Sequence, residues 1–227
     1  MKMERKEFLR RGLAGLSTIV ALPTVITACT KEEGAMPDTG GDGSCTLSPS
    51  ETAGPYPIKT PADLVRANIV ADREGIALLT TLTVQDRNKD CAPMAGVYVD
   101  IWHCDSDGNY SEYGGFTSQH FLRGRQLTDA NGQVSFISIY PGWYPGRAPH
   151  IHVEVLDSDL ESLLVSQIAF PEDISRTVYA TANYKGVYDT SNSADNIFAD
   201  SLDGNMGAIS GNTTDGYILT HTLVVNG

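Results

Sequence analysis

The stretch Pro141–Val155, PGWYPGRAPHIHVEV, constrains this chain more than any other. A tyrosine, an arginine and two histidines fall between Tyr144 and His152. Side chains on a strand alternate faces, so His150 and His152 point the same way and form half of a metal site. Tyr144 lies upstream of them beyond a Pro-Gly turn and can fold back over the same face. A phenol ionises near pH ~10, so a strongly cationic partner is needed to hold it as phenolate. Ferric iron is such a partner, and tyrosinate ligation of haem iron shows that proteins use it. A bare His-x-His pair is commonly a coincidence on a polar strand face. The tyrosine and arginine beside it, in a Pro/Gly-rich turn, favour a metal site.

Two rival readings use the same residues. One is a zinc or copper hydrolase or dismutase built on His150 and His152. The chain has only five histidines, and His103, His120 and His221 offer no evident third ligand; they read as structural, with His103 placed behind a ligand. No CxxC motif is present. The other rival is a non-catalytic β-sandwich binding module on the cell surface, which predicts no bound metal and tolerance of Tyr110→Phe.

Formal net charge is −12, which argues against nucleic acid and against anionic membrane surfaces as partners. Residues 1–28 read as an export signal. Lys2, Arg5, Lys6, Arg10 and Arg11 precede an uncharged run from Gly12 to Ala28. That run is short and interrupted by Pro23, so it makes a poor membrane span. Ile26-Thr27-Ala28-Cys29 resembles a lipobox, with Cys29 the lipidated first residue of the mature protein. Arg5–Arg10 resembles a twin-arginine signal, and Lys31-Glu32-Glu33 resembles the surface-export tags of some lipoproteins. The expected location is outside the cytoplasm, lipid-anchored to the cell envelope, with the membrane touched only through that anchor. Residues 29–44 are Gly/Asp/Thr-rich and read as a flexible tether. The folded domain is expected over 45–227. Its three cysteines, Cys45, Cys91 and Cys104, imply one disulfide and one buried thiol outside the cytoplasm, with the pairing open.

Strand patterns dominate that domain: Ala77–Gln85, Gly96–His103, Gln133–Ile139, His150–Leu156, Leu163–Phe170 and Tyr217–Val225. Their spacing has no βαβ rhythm, which predicts an all-β, antiparallel sandwich with long loops and little helix. One helix is expected over Pro171–Ala180, opened by its proline. Phe121–Gly124 and Thr128–Gly132 read as a hairpin turn, and Asn183–Thr214 as long surface loops.

A second stretch, DIWHCDSDGNY over Asp100–Tyr110, leads from a buried strand through a turn to Tyr110. Taken with FLRG, TDANG, PGWY and RAPHIH in this order, it resembles the intradiol ring-cleavage dioxygenases, which include protocatechuate 3,4-dioxygenase and catechol 1,2-dioxygenase. The resemblance runs from about Thr52 to Phe198, and the secreted single-chain branch is the most similar. It implies four ligands to Fe(III): Tyr110, Tyr144, His150 and His152. It implies Arg147 as the active-site arginine, Gln167 as a second polar group, and Tyr144 as the ligand that is displaced and turns base. It also places Thr52, Gly54, Pro55 and Tyr56 on the substrate pocket. The loop between Tyr144 and His150 is shorter than in protocatechuate enzymes, so the substrate's identity does not transfer. A ferric ion with two tyrosinates and one hydroxide is neutral overall, which a buried pocket tolerates. The implied partners are a small aromatic diol and O2. A monomer and a homodimer are both compatible with the sequence.

Overall fold

The computed structural model describes residues 45–227. The expected export signal, the Cys29 lipid site and the tether lie outside the described residues. Two sheets face each other. Strands β1 (Ala77–Asp86), β2 (Ala92–Pro93), β5 (Gln133–Ile139), β8 (Ala208–Asn212) and β9 (Gly216–Val225) form a five-stranded sheet. Strands β3 (Tyr98–Trp102), β4 (Arg123–Leu127), β6 (His150–Leu156) and β7 (Ser162–Ala169) form the other, in the order β4-β3-β6-β7. The expected sandwich is present. Every strand pair is antiparallel except β1 with β9, which run parallel from Leu78↔Tyr217 to Asp86↔Val225. This pair joins the first and last long strands, a non-local match that no hairpin signal announces.

The core lies between the sheets. In β1 every second residue from Leu78 is buried, as the two-residue period requires. Leu78, Leu82 and Val84 meet Val99, Ile101, Ile151, Val153 and Val155 of the facing sheet. Helix α1 (Glu172–Tyr179) starts just after Pro171. It buries Val178 and Tyr179, and the Tyr179 hydroxyl donates to the Pro141 carbonyl at 2.9 Å. The helix therefore supports the turn that carries Tyr144.

Two expectations are corrected. Arg123–Leu127 is a strand, β4, and not part of a turn. The segment 183–214 is not simply surface loop. It contains α2 (Leu202–Asn205) and β8, and it buries Asn192, Asp195, Phe198 and Asn205. These buried Asn and Asp side chains bind backbone groups, as Asn192 does with the Phe170 carbonyl at 2.9 Å. Cys45 pairs with Cys91, fastening the start of the domain beside β2, and Cys104 is a buried free thiol. Among the described residues no helix is long and apolar enough to cross a membrane.

Candidate metal centre

Strand register builds the site. Arg123, Trp102, His152 and Gln167 are lateral neighbours across β4, β3, β6 and β7, so they share the face turned away from the core. His150 lies one pleat further along the same face. This outer face is not wet. Residues 52–56 run over it: Gln167 Nε2 donates to the Thr52 carbonyl at 2.8 Å, Gly54 lies against the His152 ring, and Arg123 Nη1 donates to the Tyr56 carbonyl at 2.9 Å. His150 and His152 are consequently 3% and 0% exposed, as deep as the core residues between them.

Four donor atoms converge there. His150 Nε2 lies 3.1 Å from His152 Nε2, 3.3 Å from the Tyr144 hydroxyl and 3.5 Å from the Tyr110 hydroxyl. His150 Nδ1 is 2.6 Å from the Ala148 carbonyl, which only accepts, so the proton sits on Nδ1 and the Nε2 lone pair faces the phenols. Burial, with Arg147 adding to it, pushes His150 down to about 3. Burial and the neighbouring His150 push His152 well below its ordinary value. Both imidazoles are therefore neutral at physiological pH and available as ligands. Burial lifts both phenols above their usual range, with Arg147 pulling Tyr144 the other way. Neither phenol ionises unaided in this setting, and a hard cation among them would reverse that balance.

The donor set fits such a cation. Two imidazole nitrogens and two phenol oxygens are a mixed N/O set suited to iron. Among the described residues no group of three or more His, Cys, Asp or Glu is arranged to hold a metal. The site reaches four donors only when the tyrosines are counted. His103 gives no third imidazole: its ring nitrogens meet Ser138 Oγ at 2.7 Å and the Cys104 carbonyl at 2.8 Å.

The two phenols are held differently. Tyr110 is buried and stacks on Tyr56 at 4.6 Å between centroids. Tyr144 is half-buried on the loop between β5 and β6, just before Pro145 and Gly146, the latter at φ +82°. Gly142 on the same loop passes so close to Asp105 that a Cβ would stand 2.0 Å from its carbonyl oxygen, so only glycine fits.

The remaining expected residues also gather here. Arg147 Nη2 donates to Gln167 Oε1 at 2.6 Å, and Gln167 Nε2 donates to the Thr52 carbonyl at 2.8 Å. Gly54, at φ +67°, lies against His152, where a Cβ would come within 2.9 Å of the ring. Pro55 is an exposed turn residue between Gly54 and Tyr56. A cleft of about 160 Å³ opens beside Tyr110, lined by Tyr56, Tyr113, Phe116 and Gly108–Tyr110.

Three residues of the site escaped sequence reasoning. Trp102 stacks on His152 at 5.0 Å with an interplanar angle of 2°. Arg123 is fully buried and donates to the Ser111 and Tyr56 carbonyls, which locks the pocket segment to the sheet. Asp195 grips Arg147 Nε at 2.8 Å. Arg123 belongs to a motif that stood out, FLRG, but Asp195, the partner of Arg147, belongs to none. Asp195 sits in an Asn/Asp/Ser-rich segment with no local signal.

Comparison with known proteins gives a consistent picture. Residues 52–200 match the family described as Dioxygenase. Chlorocatechol 1,2-dioxygenase of Rhodococcus opacus is 29% identical over 123 residues, 45% of this chain and 47% of the relative. The protocatechuate 3,4-dioxygenase beta chain of Burkholderia cepacia is 30% identical over 118 residues, 47% of this chain and 50% of the relative. The chain thus spans about half the length of the curated relatives it matches. Among solved structures, an intradiol ring-cleavage dioxygenase from Tetranychus urticae superposes with a TM-score of 0.72 at 32% identity, covering 80% of this chain and 95% of that one. Catechol 1,2-dioxygenase from Pseudomonas arvilla C-1 shares the fold, with a TM-score of 0.59 at 22% identity over 79% of this chain and 62% of that one.

Proposed function

Since the chain belongs to the intradiol ring-cleavage dioxygenases, we propose that it is a non-haem ferric enzyme that inserts both atoms of O2 into a catechol between the two hydroxylated carbons, giving a cis,cis-muconate-type diacid. The observation that carries this reading is the convergence of two neutral imidazoles and two phenols at 3.1–3.5 Å around His150 Nε2. Tyr110, Tyr144, His150 and His152 would hold the iron. When bound, iron supplies Lewis acidity, drawing the phenols and the incoming diol into their anionic forms.

The protein's own groups do the rest. The Ala148 carbonyl fixes the His150 tautomer and keeps its lone pair on the inward nitrogen. Trp102 stacks face to face on the His152 ring and fixes its plane, and Gly54 lets the pocket segment close over it. Tyr110 is pinned by Tyr56, so it stays where it is. Tyr144 rides on a Pro-Gly turn and, once held as phenolate by the metal, would be the ligand free to swing away, its phenolate oxygen accepting a proton from the diol. Arg147 offers a guanidinium N–H to the substrate's oxygen as negative charge develops there, and Gln167 holds that guanidinium in place.

The test is cleavage of catechol under 18O2. The reading expects both labelled atoms in the diacid, with activity abolished in Tyr144→Phe and His150→Ala. Full turnover by His150→Ala would overturn the assignment of the site.

The expected location, outside the cytoplasm and anchored through a lipid on Cys29, belongs to the same reading. The Cys45–Cys91 disulfide supports it, because such bonds persist in oxidising compartments. Metabolic labelling with a fatty-acid analogue tests it: label should enter the wild type and not Cys29→Ser.

A further inference from the structure

Arg147 is a half-buried cation beside the four donor atoms, and its charge is already met. Its Nε lies 2.8 Å and 3.1 Å from the two carboxylate oxygens of Asp195, whose side chain is fully buried. The same carboxylate accepts from the Ala148 N–H at 2.7 Å and the Ile197 N–H at 2.8 Å. Asp195 therefore holds the arginine and the chain leading to His150 in one grip. Glu51 carries a second carboxylate close enough to feel both Arg147 and Asp195. The other cations near the pocket are also engaged. Arg123 is bonded to the Ser111 and Tyr56 carbonyls with Glu112 at 3.7 Å, and Lys59 donates to the Glu112 carbonyl at 2.8 Å. Lys185 lies at the exposed rim, on the face of Trp143 at 4.2 Å, where water and salt screen it. The cleft beside Tyr110 is lined by aromatic residues, glycines and Asn109, with no charged residue among them.

A ring carboxylate entering this site would give up its hydration with no uncommitted buried cation to receive it. We propose that Asp195 is a positioning residue that aims Arg147 and cancels its charge, so that the site takes uncharged catechols in preference to catechols bearing a ring carboxylate. This rests on the ring-cleavage reading above and adds the substrate class to it.

The experiment compares catechol with 3,4-dihydroxybenzoate on the iron-loaded protein, wild type and Asp195→Asn. In parallel, calorimetric titration with phenol and 4-hydroxybenzoate, which are not cleaved, reads binding alone. Wild type should favour catechol by at least ~10-fold in kcat/KM and bind phenol over 4-hydroxybenzoate by a similar factor. Asp195→Asn should shrink both ratios by roughly 10-fold, chiefly by lowering KM for the carboxylate. A merely structural loss would depress both substrates together and leave the ratios unmoved, which would overturn the assignment to Asp195. A wild type preferring the carboxylate would overturn the proposal without any variant. Should Asp195→Asn fail to fold, Glu51→Gln serves: it removes the second negative charge, leaves the Asp195 grip intact, and should move both ratios in the same direction by ~3-fold. Unmoved ratios there would overturn the charge argument. Failure of the wild type to cleave either diol would count instead against the ring-cleavage reading itself.

Discussion

Alternate residues of β6 serve different ends at the same depth. Ile151 and Val153 face the other sheet and join the core cluster. His150 and His152 face the opposite way, yet they are buried as completely. Burial by itself therefore does not separate packing from chemistry. What differs is the covering layer. The inner face meets aliphatic and aromatic side chains of the five-stranded sheet, whereas the outer face meets the segment 52–56, which brings backbone carbonyls, Gly54 and the Tyr56 ring. The inner face gains stability from apolar contact. The outer face holds neutral imidazoles in a place where water cannot compete for them.

The largest expected effect separates the two faces directly. His152→Ala should cut iron retained after dialysis by ~100-fold or more, since a ligand is lost outright. Ile151→Ala should cost about 2–5 kcal/mol of unfolding free energy and leave iron per folded molecule unchanged. Iron lost equally in both would erase the distinction. A second test stays on the outer face but away from the metal. Asp100 and Arg125 are a buried pair at 2.6 Å, one pleat along from Trp102. Asp100→Ala should cost about 3–5 kcal/mol by stranding the guanidinium, and Asp100→Leu with Arg125→Met should recover most of it. A double variant no more stable than the single would argue that the pair contributes more than charge balance. The smallest effect is read through pH. His103 is fully buried and held down to about 4 by desolvation. Its folded value lies below its unfolded one, so its stabilisation is complete above pH ~6.5 and is lost as pH falls toward about 4, a total of about 3 kcal/mol. Urea unfolding of wild type and His103→Gln across that range should show a steeper acid loss in the wild type; parallel curves would sink the assignment.

The candidate metal centre was legible because three of its four donor residues lie in one short stretch, and the fourth follows a strand and turn with its own pattern. The long strands were legible from alternation. What escaped has physical reasons. Strands β4 and β8 lie at sheet edges, where polar and glycine residues such as Arg123-Gly124-Arg125 and Ser210-Gly211-Asn212 are tolerated and alternation fades. The β1–β9 pairing is parallel and spans nearly the whole domain, so no local feature marks it. Asp195 is far from Arg147 in sequence and looks like any loop aspartate until the fold brings the two together. The disulfide partner of Cys91 was open for the same reason, because pairing depends on where the chain start is laid down.

The central claim is that the outer face of β6 and its two tyrosines hold ferric iron that engages a diol. The most direct measurement is the visible absorption spectrum of the purified protein, with iron quantified on the same sample. The account predicts a broad red-brown tyrosinate-to-iron band, one iron per chain, and a shift of that band when catechol is added without oxygen. A protein that stays colourless after ferrous loading in air would contradict it.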